Sequence, residues 1–244
     1  MSRAAVGVVM LFALLACKGT SSSSSSGTSS SASPESSAGE EPVGALDGVT
    51  PAELAARAKA AGYSEESTND DRDDGMVHHT LELESDKNYA YVTFVDLGVE
   101  SEKSHAAAMG ENTALVVHFD EAPSQVTAPK LRDDILAASP LDGLAPDALK
   151  QALSKLGFKV SQTWKDSEDG VTRTRVIADR KGDDATVWLF DFRAAKGEGR
   201  VAVGTRRFLN VMACYDCTKR KEGLLTDMTH RRRARKLLSQ LTKP

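Results

Sequence analysis

The motif LDGVTP at residues 46–51 returns as LDGLAP at residues 141–146, 95 residues further along the chain. The same offset continues without a gap as far as Val116 and Val211, matching leucines, glycines, threonines and aspartates on the way. A coincidence of this length means that one folding unit is written twice. Few sequence features constrain the architecture of a chain more strongly than such an internal repeat.

Each copy of the repeat opens with the pattern of a helix. Thr50 is placed to cap it, Pro51 suits the first helical position, and Glu53 can reach back to the Thr50 amide. Gly62 ends this helix, and the matching helix of the second copy lies between Pro146 and Gly157. Both copies therefore begin with a short helix, followed by an aromatic residue and a strand.

Strand patterns fill the middle of each copy. The turns between the first strands are predicted at Asp74-Gly75 and Asp169-Gly170. The predicted strands that follow are 77–83, 89–97 and 113–119 in the first copy, and 172–178, 185–192 and 208–214 in the second. Two segments stay open, because 104–109 fits a helix or a strand and 199–204 fits a short strand or a loop. A helix closes each copy, at 130–138 and at about 222–241.

Neighbouring strands joined by short turns pair antiparallel, so the fold class is α+β. We expect two tandem copies of an α-β-β-β-(α/loop)-β-α module with antiparallel sheets, and helices on one face of each sheet. Module 1 spans 46–139 and module 2 spans 140–244. The two lobes should be related by an approximate two-fold axis and joined near residues 139–140.

The first sixteen residues have the features of a signal peptide. A short basic start is followed by a run of thirteen apolar residues from Ala4 to Ala16, shorter than the roughly 20 needed to span a bilayer. The run ends in LLAC at residues 14–17, which resembles the lipobox of bacterial lipoproteins. That resemblance implies cleavage before Cys17, acylation of Cys17 by chains such as palmitate, and anchoring in the membrane. Lys18, standing where an aspartate marks inner-membrane retention, favours the outer membrane.

Residues 17–45 join this anchor to the repeats. They are rich in Ser, Thr, Gly and Pro, with an unbroken serine run from Ser21 to Ser26. Ordering them would cost backbone entropy with almost no apolar surface to bury in return. The segment is predicted to be a disordered linker that spaces the folded part from the membrane.

The charge of the chain is uneven although its net value is only -4. The span 65–102 holds twelve acids and two bases, whereas 200–244 holds twelve bases and three acids. These opposite signs predict either docking between the two halves or a functional basic surface.

The densest bases on the last helix are Arg231, Arg232, Arg233, Arg235 and Lys236. They form either a solvated face opposite the acidic hairpins of the first copy or a site for anionic lipid headgroups or an anionic envelope polymer. An envelope location argues against nucleic acid.

Two cysteines, Cys214 and Cys217, remain once Cys17 is acylated. They end a strand at a spacing that a turn can close, and an oxidising envelope favours a structural disulfide between them. Redox or metal chemistry and free thiols are the alternatives. The positions matching them in the first copy are Phe119 and Ala122, so the pair is not part of the shared design.

The acidic segment 69–75 invites comparison with a calcium loop. With Gly75 as the sixth position, Arg72 and Leu81 fall where an EF-hand requires ligands, so that motif is excluded. A solvated acidic turn is the simpler interpretation, and a weak cation site is the alternative.

The remaining polar candidates are isolated in the sequence. His78 and His79 point to opposite faces of a strand. The other histidines, His105, His118 and His230, have no metal-ligand spacing, so we expect no metal. Asp96 and Asp191 end equivalent strands, and they form either a buried pair or two turn caps.

Known catalytic motifs are missing from the sequence. It contains no GxSxG, HExxH, phosphate-loop or GxGxxG pattern, which lowers the case for an enzyme and for a cofactor without excluding either. The sequence therefore favours a lipid-anchored, non-catalytic binding or structural module of the bacterial envelope. The alternative is an envelope thiol-redox or cation-dependent enzyme that uses Cys214 and Cys217.

Overall fold

The computed structural model of the chain describes residues 46–86, 88–168, 170–215 and 228–243. The elements of the first repeat are α1 (Pro51–Ala60), β1 (Ser64–Asp73), β2 (Met76–Ser85), β3 (Asn88–Asp96), β4 (His105–Met109), β5 (Thr113–Phe119) and α2 (Ala128–Ala138). Those of the second are α3 (Pro146–Lys155), β6 (Lys159–Glu168), β7 (Val171–Arg180), β8 (Asp183–Asp191), α4 (Arg193–Gly197), β9 (Val201–Val203), β10 (Arg207–Tyr215) and α5 (Met228–Thr242).

From α1 to β3 the two repeats agree residue by residue, because α1, β1, β2 and β3 each recur 95 residues later with unchanged length. Even the irregularity in β1, between Glu65 and Ser67, recurs in β6 between Val160 and Gln162. The predicted cap of α1 is present, since the Thr50 hydroxyl accepts from the Glu53 amide and the Glu53 carboxylate accepts from the Thr50 amide. The α+β class with two similar modules is confirmed.

The two open segments are both strands. Residues 105–109 pair with β5, and 201–203 pair with β10. Three consecutive alanines fitted a helix equally well, but the hydrogen bonds offered by β5 decide the outcome in favour of an edge strand.

All strand pairs are antiparallel among the described residues, and they form two five-stranded sheets. Sheet A has the order β1-β2-β3-β10-β9, and sheet B has the order β4-β5-β8-β7-β6. Each sheet therefore takes three strands from one repeat and two from the other. The orders become identical when the repeats are exchanged, as the predicted approximate two-fold relation requires. The boundary at residues 139–140 separates the repeats in sequence, but it does not separate the sheets.

Three apolar cores hold four layers together. One lies between sheet A and the helices α1 and α5, and a second lies between sheet B and the helices α2 and α3. The third lies between the two sheets and is rich in aromatic rings, including Trp188, Phe190, Phe192 and Phe208. Each sheet thus has helices on its outer face, and its inner face packs on the other sheet.

The repeated LDG motif fastens the exchanged strands. The Asp142 carboxylate accepts hydrogen bonds from the amides of Glu111 and Asn112, in the turn between β4 and β5, at 3.2 and 2.8 Å. The Asp47 carboxylate accepts from the Thr205 amide at 3.1 Å and from its hydroxyl, in the turn between β9 and β10. Each motif therefore caps a hairpin that belongs to the other repeat.

The gap-free offset fails at β5 and β10. Thr113 pairs with Asp191 while Arg207 pairs with Asp96, so the equivalence here is one residue shorter than 95. A shift of one residue turns a strand side chain to the opposite face of its sheet. The match of Val116 with Val211 is therefore wrong, because Val116 lies between the sheets and Val211 lies under the helices.

Two further expectations concern the ends of the chain. No helix in the described part of the chain is both long enough and apolar enough to cross a membrane. The predicted signal peptide, the linker at 17–45 and the first part of the closing helix at 222–227 lie outside the described residues.

Candidate functional site

Several predicted site residues cannot be placed. Cys17 and Cys217 lie outside the described residues, and Cys214 is described only as a backbone position of β10. His230 likewise is described only as part of the backbone of α5. The disulfide and the acyl anchor stay predictions.

The basic cluster of α5 is largely engaged by the fold itself. Arg231 pairs with Glu198 at 3.1 Å, Arg235 donates to the Glu198 carbonyl at 3.2 Å, and Arg233 donates to Asn88. Arg232 and Lys236 are exposed. The contacts are shared between the repeats, because Arg233 meets Asn88 at the β2–β3 hairpin of the first repeat and Arg231 meets Glu198, which follows α4 of the second.

Asp96 and Asp191 are turn caps, one of the two interpretations left open. The Asp96 carboxylate accepts from the Gly98 amide and the Asp191 carboxylate accepts from the Arg193 amide, both at 3.0 Å. Arg207 pairs with Asp96 at 2.7 Å, so the basic end of the chain does contact the acidic first repeat. The hydrogen bonds from Arg193 lower the pKa of Asp191.

The turn between β1 and β2 bends onto sheet B instead of pointing into solvent. Asp74 has a left-handed backbone with φ 47°, and only 7% of its side chain is exposed. Its carboxylate accepts from the Trp188 indole at 2.6 Å and pairs with Arg175 at 3.1 Å. The expectation of a solvated acidic turn holds for Asp70 and Asp71, which are exposed, and it is wrong for Asp74.

Two histidines adjoin this docked turn. The His105 and His118 ring centroids are 5.8 Å apart, on the paired strands β4 and β5. The buried His105 donates from Nε2 to the Leu97 carbonyl at 2.7 Å, and burial lowers its pKa. Its Nδ1 faces Gly75, where a Cβ atom would come within 2.5 Å.

Asp74, His118 and Asp120 each offer one ligand atom, and these atoms all lie within 4.8 Å of one another. His118 Nε2 is 3.4 Å from the Asp120 carboxylate. The three residues come from a turn of sheet A and from the end of β5 in sheet B. The spacing of these residues in the sequence does not indicate the cluster, because Asp74 lies far from the other two along the chain. The alternative of a weak cation site at 69–75 had nevertheless included Asp74.

A shallow pocket that encloses about 30 Å³ and is open to solvent lies between the sheets. Its walls come from both sheets: His78, Thr93, Val95, Phe208 and Asn210 from sheet A, and Val171, Arg173 and Phe190 from sheet B. Arg173 pairs with Asp166 at 2.7 Å, and its guanidinium lies 5.8 Å from the centre of the Trp164 ring. His79, on the opposite face of β2, pairs with Asp70, which confirms that the adjacent histidines diverge.

The pocket arises where the two repeats differ. Thr93 lines it, and the residue equivalent to Thr93 in the second repeat is Trp188, which is buried between the sheets and stacked near Phe190. A small residue in one copy and a large ring in the other make the inner layer unequal on the two sides of the approximate axis. Aligning the repeats could have drawn attention to this position.

Comparison of the chain with protein-family models, with curated proteins and with solved structures finds no match in any of the three.

Proposed function

We propose that this protein is a lipid-anchored binding protein of the bacterial envelope, which holds a small amphiphilic anion between its two sheets and does not transform it. In this proposal Cys17 carries the acyl anchor, in the outer rather than the inner membrane, and residues 17–45 act as the spacer. Nucleic acid has no part in it.

The inter-sheet pocket is the observation that carries the proposal. Concave sites with apolar walls and a few polar groups are the usual form of small-molecule sites. This pocket is shallow, enclosing about 30 Å³ and opening to solvent, so it would hold only part of a ligand. Four of the eight lining residues are Val or Phe. None of the eight carries a carboxylate or a thiol, which favours binding over catalysis.

The polar lining favours a negative charge on the ligand. His78 and Arg173 are its two basic side chains, and Asn210 supplies an amide. Arg173 already pairs with Asp166, which is partly exposed, so a ligand anion would share the guanidinium with that carboxylate. The expected ligand therefore places a small apolar group in the pocket, leaves the rest of its body at the opening, and carries a single anionic group.

Two dyes with the same aromatic body test this proposal. Anilinonaphthalene sulfonate carries a negative charge, whereas phenylnaphthylamine lacks it. We expect the full-length protein in detergent to bind the sulfonate saturably at one site per chain and more tightly than the neutral dye. Thr93→Trp places the ring that Trp188 supplies in the other repeat, and it should abolish binding of both dyes.

The matched control is Thr163→Trp, which adds the same ring on the exposed edge strand β6. It should leave dye binding unchanged, and thermal melts should show that both variants are folded. Equal binding by the Thr93→Trp variant, or binding that does not saturate, would overturn the proposal.

The anchor is tested separately in a bacterial host that carries out lipoprotein processing. Labelled palmitate should enter the wild-type chain, and Cys17→Ser should abolish labelling and release the protein from the outer-membrane fraction. Labelling that persists in Cys17→Ser would remove the anchor from the proposal.

A further inference from the structure

We propose that Asp74, His118 and Asp120 bind a divalent first-row transition-metal ion, such as Zn²⁺, at the junction of the two sheets. This site lies apart from the pocket, with which it shares no residue. Success or failure of either proposal leaves the other standing.

The donor set suits such an ion. One imidazole nitrogen and two carboxylate oxygens are common zinc ligands, and water completes the coordination of an open site. In tetrahedral coordination two ligand atoms on one zinc ion lie about 3.4 Å apart. The present atoms lie within 4.8 Å of one another, so closing around an ion requires them to approach by up to about 1.4 Å.

The surroundings of Asp74 resemble the outer shell of a metal site. A ligating carboxylate is normally held in place by hydrogen bonds to its other oxygen. The Trp188 indole and the Arg175 guanidinium both contact Asp74 Oδ2, at 2.6 and 3.1 Å, while Oδ1 is 3.4 Å from Arg175. Asp74 is thus oriented by side chains of sheet B before any ion arrives.

His118, one of the three proposed ligands, gives a second indication. Its Nδ1 is buried and has no hydrogen-bond partner among the described residues, and the same is true of His105 Nδ1 beside it. Leaving a buried polar atom unsatisfied costs about 1–3 kcal/mol, and such atoms commonly mark a site of water or an ion. The imidazole of His118 therefore keeps one buried nitrogen that the described residues leave without a partner.

The charges allow a divalent ion with modest affinity. Two carboxylates and one neutral imidazole give the ligand set a charge that a divalent cation neutralises. Arg175 already offsets part of the charge on Asp74, which weakens the attraction. Asp120 is 82% exposed, so the ion can enter from solvent on that side.

A bound ion would join the β1–β2 turn of sheet A to β5 of sheet B. A ligand that binds only the folded state raises its stability by mass action. Zinc should therefore raise the melting temperature, and the increase should depend on all three ligands.

The test uses Co²⁺, with Zn²⁺ as competitor, on the full-length chain in detergent. The chain has two tryptophans, so Trp164→Phe leaves only Trp188, whose indole touches Asp74. Co²⁺ in the site should quench Trp188 fluorescence saturably at one equivalent, and Zn²⁺ should reverse the quenching. In this background Asp120→Asn and His118→Gln should weaken binding at least about tenfold.

The matched control is Glu121→Gln, which removes the same charge one residue away and should change the affinity less than twofold. Melts without metal will show whether each variant is folded. The proposal is overturned if Co²⁺ fails to quench the parent saturably, or if Asp120→Asn and His118→Gln bind as the parent does. An intense thiolate-to-cobalt absorption band that disappears in Cys214→Ser would equally overturn it, because it would place the ion on the cysteines.

Discussion

His105 lies where the chain crosses from sheet A to sheet B, and its imidazole is held in one orientation. The bond from Nε2 to the Leu97 carbonyl requires a proton on that nitrogen. Burial lowers the pKa of His105 from its ordinary value of 6.5, although the bond to Leu97 opposes the shift. The charged groups that act on it are His118 and Arg206, which lower the pKa further, and Glu100, which raises it.

A lowered histidine pKa makes folding depend on pH in a definite direction. The unfolded chain takes up a proton near pH 6.5 that the folded chain does not, so stability is full above that pH and is lost as the pH falls through the folded pKa. We expect the unfolding free energy of the wild type to fall more than that of His105→Gln between about pH 7.5 and pH 5. Urea denaturation at several pH values measures this difference. A difference that stays constant with pH would contradict it.

The loop that connects β3 to β4 is constrained by a close approach between two backbone segments. Gly98 has φ 83°, and a Cβ atom there would lie 2.1 Å from the Gly75 carbonyl oxygen. The turn of sheet A and the crossing segment are therefore packed backbone against backbone. Leu97 is tied to the turn between β9 and β10 by the bond from its amide to the Arg206 carbonyl.

Three glycine substitutions separate the causes of this constraint. In Gly98→Ala the new Cβ atom clashes with the Gly75 carbonyl oxygen and the backbone keeps a φ that alanine disfavours. This substitution should lower the free energy of unfolding by about 3 kcal/mol or more. Gly182 also has a positive φ, but a Cβ atom there would meet no other atom, so Gly182→Ala should lower the free energy of unfolding by about 1 kcal/mol. Gly197 has neither a positive φ nor a close neighbour, so Gly197→Ala should leave the free energy of unfolding nearly unchanged. Chemical denaturation ranks the three, and equal costs for Gly98 and Gly182 would show that the close approach is unimportant.

The sequence predicted best the elements that carry local signals. The capping residues of α1, the Asp74-Gly75 turn and the alternation in β2 are each written within a few residues. Strand β1 has no apolar residues, because it lies at the edge of sheet A and is exposed along nearly its whole length. The cluster of Asp74, His118 and Asp120 and the pocket could not be predicted, because their residues meet only after strands of the two repeats have been exchanged.

At the scale of the molecule, the exchange makes the two repeats inseparable in space. Sheet A needs β9 and β10 of the second repeat, and sheet B needs β4 and β5 of the first. The hydrogen bonds from Asp47 and Asp142 reinforce both insertions. The connection at residues 139–140 is the point at which the sequence divides the two repeats.

Cutting that connection should therefore leave one particle. A protease site placed between Ser139 and Pro140 can be cleaved in the folded full-length protein. We expect the two fragments to elute together in size-exclusion chromatography and to part only in denaturant, because every sheet would have to lose two strands before they separate. An uncut variant carrying the same insertion controls for the added residues. Separation in native buffer would contradict the exchanged topology.

A chain with only one of the two units would have a three-stranded sheet and two strands without their partner sheet. It could complete the five-stranded sheets only by pairing with a second molecule. Joining both units in one gene replaces that encounter by a permanent neighbour, so assembly no longer depends on concentration. It also frees each unit to change on its own. A partnership between identical molecules must place the same residue on both sides, whereas this fused chain keeps a threonine on one side and a tryptophan on the other.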